Sequence, residues 1–148
     1  MTTPPPEGSA QPSTGLLAVP ADWVTLRAET EAGQPIVVLV DRAVATTAPY
    51  ELFTLQVALA VPLGSTPDGL PAEADKPGLR QLEQHLVNAA EGEARLVAVL
   101  TLEGMREWML YARSTAWTQP FLEAGLSVQV GEDPEFAGLR ELASGPAG

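Results

Sequence analysis

Cysteine is absent from the chain, which excludes disulfides, thiolate metal sites and cysteine nucleophiles together. Histidine occurs once, at His85, so a metal centre built on several imidazoles is excluded too. Basic residues are scarce: 8 Lys and Arg stand against 19 Asp and Glu, a net charge of −11, and they cluster nowhere. Reading a phosphate backbone needs a basic patch, and so does docking on an anionic bilayer. Neither nucleic acid nor a membrane is therefore an expected partner. No apolar run approaches the ~20 residues needed to span a bilayer. The N-terminus has neither the cationic start nor the apolar core of a signal peptide, so a cytoplasmic location is the expectation. The acidity itself reads first as a solubility device and second as a surface for a basic partner.

What the chain does have is enough apolar residues, 45% of 148, for one core of single-domain size. Residues 1–20 hold five of the fourteen prolines with Gly, Ser, Thr and Gln. Such a composition does not repay ordering, so the expectation is a disordered Pro-rich leader over 1–20 and a single α+β domain over 21–148.

The clearest element lies in the middle. Leu79, Leu82, Leu86 and Ala90 recur at three- and four-residue steps with Val87 beside them, which predicts a helix over 77–91. Pro77 suits its first turn, Asp75 its N-terminal cap, and Gly92 its left-handed stop. Residues 95–102 and 105–112 are β-rich runs across a Glu103-Gly104 turn and predict a hairpin. The first of them is apolar on both faces, as a central strand is.

Upstream, residues 23–31 alternate polar and apolar, Ala32-Gly33-Gln34-Pro35 is turn chemistry, and 36–40 returns as a second strand. A looser segment covers 42–49. A long strand follows over 50–61, with Phe53, Leu55, Val57 and Leu59 on one face, and Pro62 ends it. Downstream, 115–124 reads as a helix despite Pro120, 126–130 as a strand, and 135–142 as a short helix capped by Asp133 with Pro134 at its first position. From residue 50 onward the order is β-α-β-β-α-β. That predicts a ferredoxin-like antiparallel sheet with its helices on one face, extended by the N-terminal hairpin and the C-terminal helix.

Candidate site residues gather around the central hairpin. Glu103 and Glu107 flank its turn with Arg106 between them. Two carboxyls at the right separation do acid–base work or hold a hard cation, although polar residues collect at turns for structural reasons alone. Trp108 and Tyr111 fall on opposite faces of a regular strand, so only one of them is expected under the helices and the other becomes a contact candidate. His85 is expected on the helix surface. Gly64-Ser-Thr-Pro-Asp-Gly69 lacks the lysine and spacing of a phosphate cradle, and no dinucleotide fingerprint or nucleophile elbow occurs. No metal or cofactor is expected.

Several short motifs together resemble the domain-of-unknown-function family numbered 695 of uncharacterised bacterial proteins. They are Trp23 opening the first strand and Gly69-Leu70-Pro71 ahead of a Leu82-Glu83 helix. They continue with the T-x-x-G-x-R-E run from Thr101 to Glu107, with Tyr111 after it, and with Asp133-Pro134-Glu135-Phe136, where Phe136 stands in place of a tryptophan. The resemblance covers about 23–142. It implies a ferredoxin-like fold through a superfamily-level similarity to the regulator of ribonuclease activity B, an acidic inhibitor that works by binding an enzyme. It brings no catalytic residues.

Two functions follow as expectations. The leading one is a non-enzymatic regulatory module that binds another protein through Glu103, Arg106, Glu107, Trp108 and Tyr111. The alternative is a small-molecule-binding protein or minimal enzyme whose pocket gathers Glu103, Arg106, Glu107, Tyr111 and His85. A homodimer through a sheet face is a third association to test.

Overall fold

A strand as apolar as residues 94–102 belongs where both faces of a sheet are covered, and the computed structural model of the chain places it there. The structure describes residues 15–47, 50–63 and 69–144. Its six strands are β1 (Trp23–Glu29), β2 (Pro35–Asp41), β3 (Leu55–Pro62), β4 (Ala94–Leu102), β5 (Met105–Ala112) and β6 (Ser127–Glu132). Helix α1 (Arg42–Thr47) follows β2, α2 (Lys76–Ala89) joins β3 to β4, α3 (Gln119–Glu123) joins β5 to β6, and α4 (Ala137–Ala143) follows β6. The strands form one sheet in the order β1-β2-β4-β5-β3-β6, with every neighbouring pair antiparallel. The N-terminal hairpin thus continues the sheet past β4 through the β2–β4 pairing.

The sheet is wider than four strands, and its helices do not share one face. On the first face Leu79 and Leu86 of α2 and Phe121 of α3 close over Val57, Leu59, Val99, Trp108 and Leu110. On the second, Leu16, Val44 of α1, Phe53, and Phe136 and Leu139 beside and within α4 close over Val38, Val40, Val97, Met109 and Tyr111. The physical reason is β4 itself. Its register slips between Leu96 and Ala98, so Val97 and Ala98 both turn to the second core while Leu96 and Val99 face the first. With apolar side chains on both faces, one helix layer would leave the other face wet.

Other boundaries shift for local reasons. Residues 15–20, read as leader, belong to the fold: Leu16 is fully buried, and Arg95 holds the backbone carbonyls of Leu16 and Val19 while its Nη2 meets the buried Asp41 at 2.6 Å. Residues 1–14 lie outside the described ones, as do 64–68 of the glycine-containing loop. The looser segment over 42–49 contains α1. The strand predicted over 50–61 begins only at Leu55, because a turn joins Phe53 N–H to the Tyr50 carbonyl and delivers Phe53 to the second core, opposite Val57 and Leu59.

Helix α2 runs as its spacing predicts, but Asp75 makes no side-chain cap, and the nearby carboxylate that pairs with Lys76 is Glu73, at 2.6 Å. Residues 115–124 split into a tight turn at Ala116–Thr118 and the short α3, with Pro120 in the first helical turn, where its missing N–H costs nothing. Pro134 is likewise not the first residue of a helix. Phe136 precedes α4 with φ 56°, and Asp133 caps from outside, accepting from Ala137 and Gly138 N–H at 2.9 Å each. No helix among the described residues is long and apolar enough to cross a membrane.

Candidate functional site

Because the β1–β2 hairpin carries the sheet sideways past α2, the first face is left open between that helix and the hairpin. The opening is a groove of about 1050 Å³. Leu39, Leu96 and Val99 are among the apolar residues that line it, and Glu83, Val87 and Asn88 on one flank of α2, with Glu91 in the turn after it, make the helix wall. Val87 sits off the buried leucine stripe and is 42% exposed; Trp23, on the hairpin, is 41% exposed. Arg106 reaches the groove from β5, and Thr101, its cross-strand partner, accepts from its Nε at 3.1 Å.

Arg106 is half-buried, and burial pulls its pKa down, with the charge of Glu83 opposing. Glu83 itself accepts from Trp108 Nε1 at 2.9 Å, which fixes the carboxylate on the helix flank. Ion pairs among the described residues join Lys76 to Glu73, Arg95 to Asp41 and Arg113 to Glu93. Arg106 is in none of them. Its guanidinium stays protonated at any ordinary pH, so a partly desolvated positive charge stands at an apolar groove without a contacting carboxylate.

The residues expected to form one site separate. Arg106 and Trp108 belong to the first face: Arg106 lines the groove, and Trp108 is fully buried beneath α2. Glu107 and Tyr111 occupy alternate positions and face the other way. Glu107 is half-buried opposite Ala60 and Leu100, and burial raises its pKa. Tyr111 is fully buried; its hydroxyl donates to Asp133 Oδ2 at 2.6 Å, accepts from Gln56 Nε2 at 3.1 Å, and its ring stacks on Phe136 at 3.8 Å. Both Trp108 and Tyr111 are therefore covered, because each face has its own helix layer.

Glu103 is exposed at the turn, and His85 is exposed on α2. The turn has a structural explanation of its own. Gly104 N–H donates to the Gly69 carbonyl and Leu63 N–H to the Gly104 carbonyl, so the tip of the hairpin is bonded to the segment that leads into α2. A Cβ on Gly69 would lie 2.9 Å from Gly104 N.

The sequence did not mark the groove residues Leu39, Leu96 and Val99 as site residues, and it placed Val87 only beside the helix stripe. Two signals point to them: Val87 is an apolar residue off the buried stripe of α2, and β2 is apolar at every position from Ile36 to Val40 although it lies next to the edge strand. Among the described residues no three His, Asp or Glu side chains gather as metal ligands would. What does converge is an apolar floor and two arginines, Arg95 paired with Asp41 and Arg106 in no ion pair.

The family of unknown function DUF695 matches residues 21–134. The chain belongs to the DUF695 family. No curated protein and no solved structure matches it. The DUF695 span takes in all six strands, α2 and the groove lining other than Leu17, while α4 falls outside it.

Proposed function

We propose that this DUF695 protein is a non-enzymatic binding module that holds an apolar-bodied ligand in the groove between α2 and β2. The observation that carries this reading is the groove itself. Its volume lies just above the ~300–1,000 Å³ typical of small-molecule sites, its floor is aliphatic, and of the two arginines that line it Arg95 is paired with Asp41 while Arg106 meets no carboxylate. We also infer a ferredoxin-like core in β3 to β6, since β5 lies between β3 and β4, and β3 between β5 and β6. The β1–β2 hairpin is then an added edge that gives the core its groove.

Binding of the neutral apolar dye N-phenyl-1-naphthylamine tests the reading. The folded protein should bind it with a rise in fluorescence. Val87→Glu should weaken binding about tenfold or more by placing a third carboxylate on the wall beside Glu83 and Glu91, at a position already exposed. Dye binding that is absent, or unchanged in Val87→Glu, would overturn the groove as a ligand site.

A protein-binding regulator is the second reading, and strand β6 favours it. Within the sheet β6 pairs only with β3, and Val130 on it is 50% exposed, so its outer edge offers a row of backbone donors and acceptors for a partner strand. Solution mass measured over a range of concentrations separates a second copy of the chain from a foreign partner at that edge.

A further inference from the structure

From the placement of Arg106 we infer that the ligand is a monoanion, a small amphipathic carboxylate whose head group meets Arg106 and whose apolar body lies on Leu39, Leu96 and Val99. This rests on the groove being a ligand site. Two observations select the head group. The guanidinium is half-buried and lines the groove, yet among the described residues its hydrogen bond uses Nε alone, to Thr101 Oγ1. A carboxylate takes a guanidinium in paired N–H···O bonds, and such charge-assisted bonds gain strength as water is excluded.

The wall sets the limit on charge. Glu83 and Glu91 line the same groove, and the chain carries a net charge of −11. Arg95 also lines the groove, but its charge is matched by Asp41. A ligand with two or three negative charges would meet repulsion from Glu83 and Glu91, while one with a single charge is balanced by Arg106. Glu83 does not fill that role itself, because its carboxylate is held by Trp108 Nε1 and forms no ion pair with Arg106. A cationic ligand would face the guanidinium directly, and a neutral one would leave it with only the charge of Glu83, which does not contact it.

Displacement of the bound dye by decanoate, decanol and decylamine at submicellar concentration tests this. Decanoate should displace dye at a concentration about tenfold or more below that of decanol, the advantage of one charged hydrogen-bonded pair. Arg106→Gln should erase the difference, and a circular dichroism spectrum that matches wild type shows that the variant is folded. Glu83→Gln keeps an acceptor for Trp108 and removes the repelling charge, so it should tighten decanoate more than decanol. Equal displacement by decanoate and decanol, or preference for decylamine, would overturn the anion assignment with the groove reading intact. A protein that takes up no dye overturns both.

Discussion

The hydroxyl of Tyr111 serves three partners at once: it donates to Asp133 and accepts from Gln56 and from Leu139 N–H. Burial, together with the neighbouring Asp133, pushes its pKa well up, so the phenol is a fixed neutral donor. Tyr111→Phe should cost about 1–3 kcal/mol, the range for leaving buried polar groups without a partner, read from urea unfolding at neutral pH. The pH dependence has a definite sign. Burial raises the pKa of Asp133, but hydrogen bonds from Tyr111, Gly138 and Ala137 outweigh it and bring the pKa below the usual 3.8. A carboxylate with a lowered folded pKa contributes stability above its unfolded pKa and loses it as pH falls through the folded value. The gap between wild type and Tyr111→Phe should thus be full at neutral pH and narrow below about pH 3.8. At this scale the sequence was readable for alternation only. It put Trp108 and Tyr111 on opposite faces, but a second helix layer beyond the strand hairpin leaves no local pattern, so one of the two was expected to lie outside the helix layer when both are covered.

Among the elements, α2 was legible because a 3.6-residue period, a first-turn proline and a glycine stop all agree between Pro77 and Gly92. The start of β3 was not, since Phe53 keeps the phase of Leu55, Val57 and Leu59 although a turn has already redirected it. The groove was equally hidden, being made by the hairpin β1–β2 and a helix some forty residues away. The Gly69 segment is a middle case: glycine was conspicuous, but its reason is a contact with the β4–β5 turn. Gly69 has φ +72°, and an added Cβ would crowd Gly104 N at 2.9 Å and Glu103 Cα at 3.2 Å. Gly33 has φ +84° and open space around it. Gly69→Ala should cost about 2 kcal/mol or more and Gly33→Ala about 1, because both carry the left-handed penalty and only the first also displaces backbone. Thermal unfolding of the two variants checks this. Equal losses would mean that the hairpin tip does not depend on its seat at Gly69.

For the whole molecule, the question is whether two cores on opposite faces of one sheet behave as one. Trp108 and Trp117 lie in the first core, and Leu139 is fully buried in the second. The two share β4 and β5: Leu110 and Met109 are consecutive residues on opposite faces, and so are Val97 and Leu96. Losing one layer would expose the reverse side of strands that the other layer needs in place, so unfolding should be a single transition. Leu139→Ala removes buried volume from the second core and should cost about 2–5 kcal/mol. If the sheet couples the layers, tryptophan fluorescence, reporting mainly on the first core, must move to lower urea by the same amount as circular dichroism. A fluorescence midpoint that stays in place while circular dichroism shifts would show two separable layers. In that case the first face, with α2 and the groove beside it, would be a binding surface whose stability is set independently of α4, which lies outside the DUF695 span.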